Sequence, residues 1–317
     1  MTEPTPRLPE EKQDEPGSLE IPAQTLPLIQ RIPPIPFAIF ALAFVFVLYQ
    51  VVGGALTLIA FQGEISAENV NGFRWATLVS QILFILVPTI VLARLRYPAA
   101  RNFFQLRVPD YKEVILSVIA VFALQQILQT YMLVQEAIPI PEGISKYVDM
   151  FKQLLEETYK ILVVAKSPSE FFVVVLIVAL TPAICEELFF RGLIQHAFEE
   201  ATPGLKGALL AGFIFGVYHI NPFTLIPLVA LGTFFGFLVY RSANLTVTMS
   251  AHFFNNFVAC VAIYMQLDED FVAVAPGGNV STADLVLNFG VFGVVFLVAT
   301  HYFIRVTAPV TDLPEGD

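Results

Sequence analysis

Runs of mostly apolar residues, each long enough to cross a bilayer, recur from residue 37 to residue 304. A spanning helix needs about 20 such residues. The runs are 37–61, 75–93, 113–138, 169–196, 204–220, 222–240, 244–265 and 285–304. Between the fifth and sixth stands Asn221-Pro222. Proline removes a backbone donor and breaks a helix, so two short spans are expected there rather than one long one. The fold class that follows is all-α, a polytopic membrane helix bundle of about eight transmembrane helices. Composition agrees: 56% of residues are hydrophobic and 14% charged, against about 25% charged in ordinary soluble chains.

The ends differ from the middle. Residues 1–34 carry Glu3, Glu10, Glu11, Asp14, Glu15 and Glu20 among many prolines, too little apolar surface to order itself. They read as a disordered acidic tail with no cleavable signal peptide. Residues 35–308 form the membrane-embedded domain, with its chemistry in a core over 170–260, and 309–317 are a short tail. The net charge of −10 lies largely in the tail and two loops, and no nucleic-acid partner is expected. Cys185 and Cys260 both fall in apolar segments and form no C-x-x-C pair.

Basic residues set the orientation. The loop after the second run has Arg94, Arg96, Arg101, Arg107 and Lys112; the loop after the first has Glu64 and Glu68, with Arg74 at its end; the 266–284 loop has Asp268, Glu269, Asp270 and Asp284 and no base. The positive-inside rule then puts both termini, Arg241 and Arg305 in the cytoplasm. Residues 146–162 place Val148, Phe151, Leu155 and Leu162 on one face and charges on the other. They read as an amphipathic helix, lying in the outer interface or packed on the bundle. Gly212 and Gly216, then Gly232 and Gly236, recur at four-residue spacing, which lets helix backbones approach closely in lipid. No inverted repeat is visible, which argues against a transporter.

The stretch Thr181–Glu200, TPAICEELFFRGLIQHAFEE, carries Glu186, Glu187 and Arg191 inside an apolar run. Each ionisable group at membrane depth costs about 3 kcal/mol, so the cluster needs a structural or chemical reason. Glu187 and Arg191 are four apart and face each other on a helix, which suits a bidentate pair. Glu186 is rotated away by about 100° and is left without a cation. Such a carboxyl holds a proton readily, which suits a general base. A helix-end salt bridge is the plainer reading of the motif alone. Two histidines change the balance. His219 ends the segment GFIFGVYHI, with Phe215 four residues earlier; His252 lies in SAHFFNN, with Asn256 four residues later on the same face. Imidazole and carboxamide can both donate to a developing oxyanion. His196 and His301 sit near helix ends and read as structural. Cys185, in apolar surroundings, is a poor nucleophile. Glu186, His219 and His252 make a His2Glu set of the kind that binds catalytic zinc, but no H-E-x-x-H spacing supports a metal. Straight helices do not level these groups: at about 1.5 Å per residue, His252 lies roughly 12 Å and His219 roughly 22 Å from the basic end of their spans. Tilt, a late helix start or a bend near Pro182 must close the gap.

E-E-x-x-x-R, then F-x-x-x-H, then H-x-x-x-N in successive membrane helices resembles the type II CAAX prenyl endopeptidase family, which also includes prokaryotic bacteriocin-processing and immunity proteins. The matching residues are Glu186, Glu187 and Arg191, then Phe215 and His219, then His252 and Asn256. The resemblance implies an eight-helix intramembrane glutamate protease with no required cofactor. It implies that Glu186 and His219 activate a water, that His252 and Asn256 form an oxyanion hole, and that Glu187 and Arg191 orient them. The expected substrate is a membrane-associated or prenylated, CAAX-like protein, or a leader peptide. The expected location is a prokaryotic plasma membrane, in contact with its lipids, with the cavity open to the cytoplasmic side. A transporter with buried Glu and His, and a non-catalytic immunity or scaffold protein, are the alternative readings.

Overall fold

The computed structural model describes residues 27–62, 65–66, 68–98, 103–202, 204–266 and 281–307. Among these residues no strand occurs. The helices are α1 (Pro34–Ala60), α2 (Val70–Arg96), α3 (Tyr111–Glu136), α4 (Glu142–Val163), α5 (Pro168–Ala201), α6 (Leu205–Tyr218), α7 (Leu225–Ser242), α8 (Leu245–Tyr264) and α9 (Thr282–Val306). Of these, α1, α2, α3, α5, α7, α8 and α9 are long and apolar enough to cross a membrane. The eighth expected span is α6, apolar but only 14 residues long. It rises about 21 Å, short of the ~30 Å hydrocarbon core. The chain is a multi-pass integral membrane protein whose described residues are helical or connecting segments.

The expectations for residues 1–26 and 309–317, and for Glu64, Arg101, Asp268, Glu269 and Asp270, lie outside the described residues. Leu28–Arg31 forms one helical turn tied to the end of α2, where Gln30 Nε2 donates to Leu95 O at 3.0 Å.

Local chemistry explains where helices start and where they deform. Asp110, Ser167, Asn244 and Ser281 each cap a helix by accepting a backbone N–H with their side chains, satisfying donors that the first turn leaves open. Two π-helical turns, Ile82–Leu86 and Val175–Leu180, run up to Pro88 and Pro182. A proline lacks the N–H of the regular ladder and crowds the carbonyl four residues back, and a widened turn absorbs both effects.

The glycine spacing does what the sequence suggests. α6 and α7 form a close antiparallel hairpin. A Cβ on Gly232 would lie 2.7 Å from Gly212 O, and one on Gly236 would lie 2.8 Å from Ala208 O. α9 packs against α3, and α3 against α8.

α4 is amphipathic, as its pattern requires. Val148, Leu155 and Leu162 are half-buried toward the bundle, and Phe151 meets Phe223 with ring centroids 6.1 Å apart. Tyr147, Met150 and Leu154 stay exposed on the adjoining face. The helix is pinned at its C-terminus by Arg74, which is buried in the first turns of α2. Arg74 donates to Leu162 O at 2.9 Å, to Ile161 O at 3.4 Å and to Val164 O. Those carbonyls have no partner within their own helix, and a cation there also complements the helix dipole.

The hairpin contact is testable. Gly212→Val places a side chain against the Thr233 backbone and should lower stability by about 1–3 kcal/mol. Gly290→Ala, with nothing within 4 Å of the added atom, should leave the thermal midpoint in detergent unchanged or raise it slightly.

Candidate functional site

The polar residues singled out in the sequence converge on one cavity. It holds about 310 Å³ and is walled by Glu186, His219, His252, Asn255 and Asn256, with Gln81 and Tyr159 among the other lining residues. Three elements bring the groups together: α5 supplies Glu186, the turn after α6 supplies His219, and α8 supplies His252 and Asn256.

Their levelling comes from a late start of α8. A Cβ on Gly192 of α5 would meet Phe104 at 2.6 Å and Leu245, the first residue of α8, at 3.3 Å. Gly192 lies nine residues inside the end of α5, about 13 Å along the axis. The 103–108 segment dips in to hold this start. Leu245 N donates to Gln105 O at 3.4 Å, and Arg107 N to Asn244 Oδ1 at 3.3 Å. Arg107 Nη2 also donates to Ser242 O at 2.9 Å and Ala243 O at 2.8 Å. His252 is therefore carried about as deep as Glu186. His219 and Glu186 share this level because α5 runs on to Ala201, fifteen residues past Glu186, while His219 lies fourteen residues from the start of α6, which abuts Glu199.

At the centre lies Glu187, fully buried. Its Oε1 accepts from Arg191 Nη1 at 2.9 Å and from His252 Nδ1 at 2.7 Å. The pair with Arg191 is the one expected from spacing, but through a single bond rather than a bidentate fork; the bond to His252 across helices was not legible from spacing. Arg191 also donates through Nη2 to Gly232 O on α7 at 3.0 Å. One helical turn on, Gln195 donates to Gly236 O at 3.1 Å. The guanidinium lies 4.4 Å from the Phe215 ring and 5.3 Å from the Phe235 ring, which adds cation–π attraction in a dry setting. Phe235 stacks on His252 with centroids 5.0 Å apart. A carboxylate, a carbonyl and aromatic faces thus surround a cation that would otherwise be costly at this depth.

Glu186, by contrast, is partly open to the cavity. Its Oε2 stands 4.0 Å from His219 Nε2, with their side chains 20% and 31% exposed. His219 Nδ1 is 2.7 Å from Phe215 O. A carbonyl only accepts, so Nδ1 carries the hydrogen, and in the neutral ring Nε2 presents a lone pair. The same reasoning puts a hydrogen on Nδ1 of His252, facing the Glu187 carboxylate. Asn256 Nδ2 donates to Val178 O at 3.1 Å.

The remaining candidates fall elsewhere. His196 packs edge-on against the stacked rings of Tyr97 and Phe103, and His301 lies beside Tyr302; neither lines the cavity. Cys185 and Cys260 are buried free thiols. Among the described residues no three His, Cys, Asp or Glu side chains cluster at ligand spacing. Gln81, Tyr159 and Asn255 line the cavity without having been picked out in the sequence. They come from other helices or carry no periodic signal of their own.

Tyr159 and Leu162 of α4 wall the cavity, as do Leu228 and Leu231 near the start of α7. This is the end of the bundle opposite the basic 97–110 loop, because α3 crosses between that loop and α4. The cavity lining thus includes the helix ends on the α4 side, which bears on the expected opening toward the basic loop.

These features define a class: a membrane-embedded helix bundle whose ionisable and amide side chains gather in a single internal cavity. Residues 168–258 match the family model of the Type II CAAX prenyl endopeptidase Rce1-like proteins, a protease family. The match spans Glu186, Glu187, Arg191, Phe215, His219, His252 and Asn256, the residues on which the resemblance was read. No curated protein and no solved structure matches the chain.

The two glutamates should respond differently to substitution. Arg191→Met strands the buried Glu187 charge and should cost about 3–5 kcal/mol. Glu186→Gln, on the cavity wall, should cost less than about 1 kcal/mol. Thermal unfolding of the purified variants separates the two.

Proposed function

We propose that the chain is an intramembrane endopeptidase that hydrolyses a peptide bond of a membrane-associated protein or peptide by a glutamate-type mechanism. The observation that carries this reading is the pair Glu186–His219, 4.0 Å apart in a cavity that His252 and Asn256 also line. The family match over this segment supports it. A carboxylate and an imidazole lone pair are both acceptors. A water between them donates one hydrogen to each, and its oxygen lone pair is left for a substrate carbonyl. Attack forms the C–O bond. Glu186 takes the proton of the water and returns it to the amide nitrogen as the C–N bond breaks, so no net charge is left behind.

The developing oxyanion needs donors. Asn256 has a second Nδ2 hydrogen beyond the one given to Val178. His252, held through Nδ1 by Glu187, can donate from Nε2 when that nitrogen carries a hydrogen. Arg191 and the aromatic faces keep Glu187 in place. No step in this scheme calls for a metal.

The substrate enters beside α4. With the basic loop and termini in the cytoplasm of a prokaryotic cell, the cavity opens to the opposite face. A leader peptide or another small membrane-associated peptide exposed on that face is then the favoured substrate class, ahead of a prenylated cytoplasmic tail.

Two measurements test this. Product mass spectrometry on membranes with and without the protein should reveal new peptide termini. Glu186→Ala and His219→Ala should each lower their rate of formation by about 10²–10⁴-fold; unchanged rates in both would remove these roles. A Gly143→Cys variant, changed in the exposed first turn of α4, should react with a membrane-impermeant maleimide in intact cells. Reaction only after lysis would reverse the orientation.

A further inference from the structure

A carboxamide presents oxygen on one side and NH2 on the other, and only the NH2 helps an oxyanion. Something must therefore set which way Asn256 faces. Two neighbours do so. Asn256 Nδ2 donates to Val178 O at 3.1 Å, and Asn256 Oδ1 accepts from Asn255 Nδ2 at 3.1 Å. A carbonyl oxygen only accepts, so the first bond fixes the nitrogen end, and the second occupies the oxygen end. One Nδ2 hydrogen is left over, and both asparagines line the cavity.

Val178 O loses its regular-helix partner to Pro182. In a regular α-helix the carbonyl of residue 178 takes the N–H of residue 182. Proline has no N–H, and its ring presses on that same carbonyl. The helix widens into a π turn over Val175–Leu180, and Thr181 Oγ1 bonds Leu176 O at 2.7 Å. Pro182 stands four residues before Glu186 on the same helix. The residue that deforms α5 ahead of the glutamate thus also exposes the acceptor that α8 uses.

We propose that Pro182 and Asn255 are positioning residues for Asn256. Pro182 leaves the Val178 carbonyl to Asn256, Asn255 occupies the carboxamide oxygen, and together they hold the remaining N–H toward the reacting carbonyl. The catalytic half of this rests on the endopeptidase reading; the hydrogen-bond half does not.

A double-mutant cycle tests both halves. Pro182→Ala restores an N–H to the Val178 carbonyl. Asn256→Ala should lower the thermal midpoint by about 3 °C in the otherwise native chain and by clearly less in the Pro182→Ala background. Equal losses in the two backgrounds would overturn the link between Pro182 and Asn256. With a cleavable peptide, Pro182→Ala and Asn255→Leu should each lower kcat by about ten-fold and change KM by less than about two-fold. Neither should lower kcat further when added to Asn256→Ala. Losses that multiply with Asn256→Ala, or that fall on KM instead, would show the two residues acting otherwise. If the native chain cleaves no peptide, the endopeptidase reading fails, and the thermal cycle still decides the hydrogen-bond device.

Discussion

One carboxylate oxygen ties the centre of this bundle together. Glu187 Oε1 receives Arg191 from its own helix and His252 from α8, and Arg191 reaches on to α7. Three helices are joined through groups that lipid would otherwise penalise. Breaking such a buried pair costs more than making it contributes, so the arrangement locks relative positions more than it adds stability. The gain is register. With Glu187 held inward, Glu186 is turned to the cavity, and with Nδ1 of His252 held, its ring faces Phe235 in a stacked pose.

Departures from regular helix geometry then do the levelling. α6 stops at Tyr218 and presents His219 from its end. α8 starts deep, capped by Asn244 and held by Gln105 and Arg107. α5 carries π turns on both sides of Thr181–Glu186. None of these is a defect of packing. Each sets where a polar group meets the cavity, and π turns are frequent at functional sites.

Much of this was legible in the sequence, and the limits have physical causes. The apolar runs located the membrane helices because lipid tolerates little else. The i, i+4 spacing located the Glu187–Arg191 pair and the closeness of Phe215 to His219 because those are local geometry. The glycine pairs located the α6–α7 contact. The bond between His252 and Glu187 was not legible, because it depends on how deep α8 begins, and that depth is set by a loop from elsewhere in the chain. Gln81 and Asn255 were not legible because one lies on a helix outside the motifs and the other carries no periodic signal of its own. The cavity's place along the bundle was not legible either, because loop charges speak to topology, whereas that place depends on which helix ends wall it.

The fold thus turns a costly set of buried charges into a positioned pair of acceptors beside a positioned donor. The claim at its centre is that a water held by Glu186 and His219 attacks the substrate carbonyl directly. A single turnover in water enriched in ¹⁸O, with enzyme in excess over a cleavable peptide, tests it. The account predicts one ¹⁸O in the new C-terminal carboxylate of the first product released. A first product carrying only ¹⁶O there would contradict it, because the oxygen would then have come from the protein.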